Sequence, residues 1–168
     1  AVLGLIATYL FFLLTYLIRM SPAAMAPEII QTYHYNAFGF SLMSASFYYL
    51  YALMQIPAGY SVDRFGCRKT LTLSALICVI ALVMQATADS KLIEDLSRAI
   101  LGAACATGSI IMVKVIGEMF DTKLFSILFA IGFSLGLSGS LISQMPLVEL
   151  VDSFGYVHTL FLIATGCA

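Results

Sequence analysis

Charge is what this sequence has least of: acidic and basic side chains make up 10% of its 168 residues, whereas apolar side chains make up 61%. A water-soluble domain of this size carries about a quarter charged residues, because so much of its surface must face water. The mean hydropathy of +1.00 therefore indicates that lipid is the solvent of most of this surface. The net charge of −1 gives no reason to expect a nucleic-acid partner.

The residue patterns of a metal centre, a bound cofactor or an enzyme active site are also missing. The four cysteines, Cys67, Cys78, Cys105 and Cys167, lack the spacing of a metal site and lie in apolar runs or beside a basic loop. No histidine pair, carboxylate pair or cysteine–histidine arrangement has the spacing of a catalytic site. We therefore expect neither enzyme activity nor a cofactor, and interpret the cysteines as small packing residues.

Long uncharged stretches recur along the chain, and a membrane-spanning helix needs about 20 mostly apolar residues. Because backbone in lipid must satisfy its own hydrogen bonds, these stretches predict helices. The predicted helices cover residues 1–28, 37–61, 70–88, 93–119, 123–147 and 154–168. Since the sequence begins and ends within apolar runs, we expect it to be part of a longer protein.

The connections between the predicted helices alternate in charge. Two are basic and three are mainly acidic: residues 63–69 and 120–123 on one side, and 28–35, 89–95 and 149–152 on the other. Short loops rich in lysine and arginine remain in the cytoplasm. We therefore expect an integral protein of a bacterial inner membrane, with residues 63–69 and 120–123 in the cytoplasm.

One basic connection carries a motif that reads Gly59-Tyr60-Ser61-Val62-Asp63-Arg64-Phe65-Gly66-Cys67-Arg68-Lys69. It resembles the signature Gly-x-x-x-Asp-Arg-x-Gly-x-Arg-Lys/Arg that the major facilitator superfamily carries between its second and third helices. We expect Gly59 to let two helix ends approach closely and Gly66 to permit a tight turn. Cys67 replaces a residue that is often basic in the family.

Two further segments are similar to the same family. Arg98 and Gly102 match an Arg-x-x-x-Gly pattern of its fourth helix, and residues 153–156 resemble the entry to its sixth. The resemblance implies an all-α membrane protein: a six-transmembrane-helix bundle that forms the N-terminal half of a twelve-helix fold, with 3+3 inverted repeats. It also implies that a solute binds between two halves, of which the C-terminal half is absent here.

Arg19 is the charge that the sequence places deepest in an apolar stretch. It lies about 27 Å along a helix from Ala1, where a charge costs at least about 2.5 kcal/mol unless it faces a wet cavity or a partner. The segment from Tyr16 to Arg19 resembles the first helix of the organophosphate and organic-anion branch, whose arginine binds the anionic substrate. An arginine whose charged end reaches the outer membrane interface is the alternative.

The second helix adds a polar face, whose members recur every three or four residues: Ser41, Ser44, Tyr48, Tyr51 and Gln55. In lipid this face must turn inward, either against other helices or toward a solute cavity. Tyr51 matches a tyrosine of the organophosphate exchangers, whereas Gln55 stands where they carry a lysine. We therefore predict a site for a monoanionic carboxylate or a zwitterion, rather than a sugar phosphate, formed by Arg19, Tyr16, Tyr48, Tyr51 and Gln55.

Charges and glycines near the helix ends are candidates for conformational gating. The predicted gating set is Gly59, Asp63, Arg64, Gly66, Arg68, Arg98, Glu118 and Asp121. We expect Glu118 or Asp121 to pair with Arg64 or Arg68 and lock one state of a transport cycle. Lys114 is interpreted as an interface residue. No acidic residue is expected deep in an apolar stretch, so that proton coupling would use acids near loops or the absent half.

These patterns favour a secondary active transporter that moves a small polar solute, anionic or zwitterionic, by alternating access. Export of amphipathic solutes is an alternative, although the fifth helix lacks the Gly-Pro pair of drug exporters and its Gly132, Gly136 and Gly139 are interpreted as packing residues. A membrane receptor or scaffold is an alternative of another class, but it has no need of the charged motif. The expected partners are the solute, a coupling proton or ion, the lipid bilayer and the missing C-terminal half.

Overall fold

The computed structural model describes residues 2–144 and 156–167, in which all regular secondary structure is helical. The helices of this part of the chain are α1 (Val2–Ala24), α2 (Ala26–Tyr33), α3 (Ala37–Phe65), α4 (Cys67–Ala86), α5 (Lys91–Cys105), α6 (Thr107–Met119), α7 (Thr122–Ile142) and α8 (Tyr156–Cys167). Five stretches of it are long and apolar enough to cross a membrane, namely α1, α3, α4, the consecutive pair α5–α6, and α7. The predicted all-α class is confirmed.

Two of the predicted helices are divided in the structure. The stretch predicted as 1–28 is interrupted at Met25, and Pro27 lies in the first turn of α2, where a missing backbone N–H is tolerated. The stretch predicted as 93–119 is interrupted at Ala106, between α5 and α6. Residues 145–147 and 154–155, which end the fifth and begin the sixth predicted helix, lie outside the described residues.

The connection between α3 and α4 is a single glycine. Gly66 has a φ of 83°, a backbone conformation that glycine adopts without the steric penalty that a Cβ would bring. Its amide donates to the carbonyl of Val62 at 3.1 Å, and its own carbonyl accepts from the amide of Thr70 at 3.2 Å. The tight turn predicted at Gly66 is therefore present, and α4 begins directly after α3 ends.

Small residues allow the helices to pack closely at two interfaces. A Cβ at Gly102 of α5 would overlap the carbonyl of Phe47 on α3, and a Cβ at Gly139 of α7 would lie 2.5 Å from the carbonyl oxygen of Leu13 on α1. Two further glycines of α7 are equally crowded by side chains: Gly132 and Gly136. The interpretation of these glycines as packing residues is confirmed, since larger side chains would push the helices apart.

The helix α1 lies at the centre of this arrangement. It contributes Ile18 to an apolar core shared with α2, α3, α4, α5 and α8, and Phe12 to a second core shared with α3 and α6. Helices α3 and α7, by contrast, expose most of their surface. A polar side chain on the inward face of α1 is therefore held between well-packed neighbours.

Candidate functional site

Arg19 projects from α1 toward α3 and is half-buried. Its guanidinium carbon Cζ lies 4.8 Å from the centre of the Tyr48 ring, 5.5 Å from that of Tyr51 and 5.8 Å from that of Tyr16. Tyr16 precedes Arg19 by one turn of α1, and Tyr48 and Tyr51 are one turn apart on α3, so that both helices direct rings at the same cation. The structure thus brings together all but one of the predicted solute-site residues.

The Arg19 guanidinium is enclosed by rings rather than by hydrogen-bond acceptors. Its buried Nε has no acceptor among the residues that the structure describes. An aromatic ring attracts a cation by about 0.5–2 kcal/mol, but the attraction leaves N–H donors without acceptors. Because a guanidinium holds its donors in a planar fork that matches a carboxylate, this site is suited to an anionic oxygen.

The rest of the predicted site continues along α3. The Tyr51 hydroxyl lies 3.4 Å from Oγ of Ser109 on α6, and the Tyr51 ring stacks on that of Phe47 with a centroid separation of 6.1 Å. Gln55 is half-buried one turn further along the same helix, about 6 Å from Tyr51 along the helix axis. Ser109 therefore connects α6 to the site. The sequence around Ser109 gave no reason to expect this contact.

Arg98 of α5 is only 1% exposed. Its Nη1 donates to the carbonyl of Ile18 at 3.0 Å, and its Nη2 donates to the carbonyl of Arg19 at 3.2 Å. Its Cζ lies 5.1 Å from the centre of the Phe47 ring. The structure therefore places this predicted gating residue against the backbone of α1, away from the other predicted gating charges.

One acidic residue near the start of a membrane-spanning stretch is buried within the protein. Glu94, in the first turn of α5, is fully buried, and its Oε1 accepts from Nε2 of Gln85 on α4 at 2.6 Å. Arg98 follows it by four residues on the same buried face of α5. Helix α5 begins at Lys91, within the segment 89–95 that was predicted as an acidic connection. The first turn of α5 therefore already packs inward. A Glu–Arg pair at positions i and i+4 was the available signal.

Near Glu94, tyrosines of α2 and the following turn bind the connection between α4 and α5 and the first turns of α5. The Tyr33 hydroxyl donates to the carbonyl of Ala88 at 2.8 Å, and the Tyr35 hydroxyl donates to Oδ1 of Asp95 at 2.8 Å. Burial and the bond to Asp95 raise the pKa of Tyr35 above its usual value. The Tyr35 hydroxyl therefore remains protonated, and keeps donating, throughout the physiological pH range.

The end of the bundle that carries residues 63–69, here termed the basic end, holds a different set of ion pairs from those predicted. Nζ of Lys114 on α6 lies 2.7 Å from Oδ1 of Asp63 on α3 and 3.7 Å from Oε1 of Glu118. Lys114 was interpreted as an interface residue, and the structure adds that it pairs with two carboxylates. It links α6 to α3 because α6 passes beside the last turns of α3.

The predicted pairing of the motif arginines with Glu118 or Asp121 is not formed in the described part of this structure. Arg64 donates instead to the hydroxyl of Tyr60, one turn earlier on α3, at 2.7 Å. Arg68 is exposed and lines a groove with residues of α1 and α6. Within residues 2–144 and 156–167, neither arginine forms an ion pair with those carboxylates. Both arginines are exposed.

The expectation that Gly59 allows a close approach of two helices is wrong for the described part of the chain. A Cβ at this position would meet nothing within 4 Å. Gly59 instead lines a groove between α3 and α6, together with Asp63, Ser109 and Lys114. The absence of a side chain at Gly59 keeps this groove open beside the Lys114–Asp63 pair.

Comparison with known proteins identifies the family. The family model described as Major Facilitator Superfamily matches residues 8–168. The chain belongs to this superfamily. A probable sulfoacetate transporter, SauU, of Cupriavidus necator is 33% identical to it over 93 residues, which cover 55% of this chain and 22% of that one. An uncharacterized transporter, YybO, of Bacillus subtilis (strain 168) is 28% identical over 95 residues, which cover 56% of this chain and 22% of that one.

The superfamily fold is also seen in a solved structure. A bacterial homolog of the human lysosomal transporter Spinster, in an inward-facing and unoccupied conformation, superposes with a TM-score of 0.82 at 20% sequence identity. The match covers 97% of this chain and 39% of that chain, so this superfamily member spans well under half of its structural neighbour. Family membership and the apolar helices make the chain an integral membrane protein of this superfamily.

Proposed function

We propose that this chain is the N-terminal six-helix half of a secondary active transporter, which carries a small anionic or zwitterionic solute across a bacterial inner membrane by alternating access. The observation that carries the proposal is the environment of Arg19. Three tyrosine rings surround its guanidinium, whose buried Nε has no acceptor among the described residues. Since a charge within the bilayer requires a partner, the anionic group of an arriving solute completes this site.

The chemistry around Arg19 limits the class of solute. The guanidinium fork suits a carboxylate or another anion with two equivalent oxygens, and the tyrosines add hydroxyl groups at its edge. Gln55 provides an amide where the organophosphate exchangers carry a lysine, so the second cation of a sugar-phosphate site is missing. The relative named as a probable sulfoacetate transporter supports a small organic anion.

The Lys114–Asp63 pair supports a gate at the basic end, which we place in the cytoplasm. It joins α3 to α6, and Glu118 adds a second carboxylate to the same lysine. An exposed ion pair is weak and is easily broken, which suits a contact that must open once in every cycle. The exposed surfaces of α3 and α7 would pack against the C-terminal half, and Gly59 keeps the neighbouring groove free.

Uptake into proteoliposomes containing the full-length protein tests this proposal. The solutes to compare are sulfoacetate, dicarboxylates, amino acids, peptides, phosphate esters and amphipathic cations. Arg19→Gln removes the charge and most of the donors, so we expect kcat/KM for the transported anion to fall about tenfold to a hundredfold. Arg19→Lys keeps the charge without the fork, and an intermediate loss is expected.

The matched control for Arg19→Gln is Lys123→Gln, which removes an exposed cation at the start of α7 and leaves uptake unchanged. Anion uptake with an unchanged KM in Arg19→Gln would contradict the proposed site. Uptake of amphipathic cations instead of anions would favour the exporter alternative. A protein that binds anions but transports nothing on the panel would favour the receptor alternative.

A further inference from the structure

A proline interrupts the backbone hydrogen bonding of α1 next to Arg19. In an α-helix, the carbonyl of Ile18 would accept from the amide of residue 22. Residue 22 is Pro22, which has no amide N–H and whose ring presses against the carbonyl one turn earlier. In lipid, where water cannot supply the missing donor, such a carbonyl costs several kcal/mol unless another group satisfies it.

The carbonyl of Ile18 is satisfied from two directions. Oγ of Ser21 donates to it at 2.9 Å from within α1, and Nη1 of Arg98 donates to it at 3.0 Å from α5. The second terminal nitrogen of Arg98 donates to the next carbonyl, that of Arg19, at 3.2 Å. The guanidinium fork thus spans two consecutive carbonyls at the break that Pro22 makes, and one of them belongs to Arg19 itself.

A second set of contacts runs from Arg98 to the same site through aromatic rings. The Arg98 guanidinium lies 5.1 Å from the Phe47 ring, which stacks on Tyr51 at 6.1 Å and an interplanar angle of 14°. Tyr51 in turn lies 5.5 Å from the Arg19 guanidinium. Arg98 therefore supports both the backbone from which Arg19 projects and one of the rings that surround its side chain.

We propose that Arg98 is a positioning residue for the Arg19 site: it supplies the donors that Pro22 removes from α1, and thereby fixes the helical segment that carries Arg19. This proposal rests on the proposed function. Arg98 acts through Arg19 and does not bind the solute, because it is 1% exposed and both terminal nitrogens donate to the main chain. Glu94, one turn earlier and equally buried, provides an acidic group near this cation.

A double-mutant cycle in the full-length protein tests the link between Arg98 and Pro22. The four proteins are wild type, Arg98→Gln, Pro22→Ala and the double variant. The first readout is hydrogen exchange of the α1 amides between residues 19 and 25, which needs no solute. Arg98→Gln should raise exchange there about tenfold. In the double variant the rise should shrink to about threefold or less, because Pro22→Ala introduces an amide that donates to the Ile18 carbonyl.

The second readout is uptake, with sulfoacetate as the probe. Arg98→Gln should raise KM about tenfold and change kcat much less, since a displaced Arg19 weakens binding. Adding Pro22→Ala should reduce this increase in KM. If Arg98 instead contacted the solute directly, Pro22→Ala would not reduce the increase. The proposal would be overturned if the effects of Arg98→Gln and Pro22→Ala were independent, so that the double variant showed the product of the two single effects on exchange and on KM. Unchanged exchange near Pro22 in Arg98→Gln would also overturn it.

Two further variants keep the test decisive. Arg98→Lys retains a positive charge beside Glu94, and it replaces Arg98→Gln in the exchange measurement if that variant does not fold. Because lysine lacks the two forked nitrogens, Arg98→Lys should also raise exchange near Pro22. Lys123→Gln is the control and should leave exchange unchanged. If Arg19→Gln had no effect on uptake of any anion, the proposed function would fail, whereas the exchange measurements would still decide the role of Arg98.

Discussion

Arg19 projects from α1 and Arg98 donates to the same turn of α1, yet the protein holds the two guanidiniums in different ways. Arg98 is buried, and its two terminal nitrogens donate to main-chain carbonyls. Arg19 is half-buried and surrounded by aromatic rings, and its terminal nitrogens donate to no acceptor among the described residues. The more deeply buried arginine is therefore the structural one, and the arginine with unused donors is the candidate for binding.

The difference shows that burial alone does not identify a binding residue in a membrane protein. What distinguishes the two arginines is whether the protein already supplies acceptors for their donors. A helix broken by a proline offers backbone carbonyls as hydrogen-bond acceptors. Three tyrosine rings around a guanidinium attract its charge through cation–π contacts, but their faces do not replace hydrogen-bond acceptors for its N–H groups. The cation–π contacts thus stabilise Arg19 within the folded protein. An anion can supply the hydrogen-bond acceptor that the Arg19 side chain lacks.

The sharpest way to break this comparison is to remove each cation and measure stability. We expect Arg98→Met to lower the free energy of unfolding by about 3 kcal/mol, because a buried Glu94 loses its nearby cation and the Ile18 carbonyl loses a donor. Arg19→Met should change it by less than about 1 kcal/mol, since a donor without an acceptor is removed. Unfolding of the purified full-length protein in detergent measures both.

The control for this measurement is the pair of variants Glu94→Gln and Glu94→Gln with Arg98→Met. Neutralising Glu94 removes the uncompensated charge, so Arg98→Met should be less destabilising in that background. Equal losses of stability for Arg98→Met and Arg19→Met would show that the two arginines are held alike, and the comparison would fail.

The all-α fold and the Arg19 site follow closely from the sequence. Uncharged stretches of spanning length mark the helices, and Tyr16 and Arg19 share a helix face because they are three residues apart. Tyr48 and Tyr51 share a face of α3 for the same reason. The meeting of these two faces was expected only from the resemblance to a family, because spacing within one helix says nothing about which neighbour it faces.

The errors concern features that depend on tertiary packing. Backbone carbonyls carry no mark in a sequence, so the role of Pro22 in offering one to Arg98 appears only when α5 is placed against α1. Glu94 was assigned to a connection because a helix start is located poorly from composition. The pairing of Lys114 was missed because its partner Asp63 lies on another helix. In each case the sequence shows the residue and leaves its partner open.

The aromatic half of the comparison can be sharpened at Tyr48, the ring nearest to Arg19. Tyr48→Phe keeps a ring and should leave the KM for the transported anion within about twofold, whereas Tyr48→Leu loses the cation–π contact and should raise it about threefold to tenfold. Tyr49 is the matched control: it is the next residue of α3 and is 67% exposed. A similar increase in KM for Tyr49→Leu would mean that loss of any α3 tyrosine, and not the Arg19 contact, weakens uptake.

The smallest expected effect lies at Lys114, a cation whose partners are at the surface. The Asp63 side chain is 76% exposed, in contrast to the buried surroundings of Arg98. Asp63→Asn should slow turnover about threefold with KM unchanged, because an exposed pair contributes little to stability and acts only when the gate closes. Glu118→Gln should have a smaller effect, since its carboxylate lies 3.7 Å from Lys114 rather than 2.7 Å.

Ionic strength separates this exposed pair from the buried arginine. Charges at a surface are screened within about 10 Å at 0.1 M salt and within about 3 Å at 1 M, so the difference in turnover between wild type and Asp63→Asn should shrink as salt is added to both sides of the vesicle. The defect of Arg98→Gln should not change with salt, because its contacts lie out of reach of mobile ions. Unchanged turnover in Asp63→Asn at low salt would contradict the proposed gate and leave the Arg19 site unaffected.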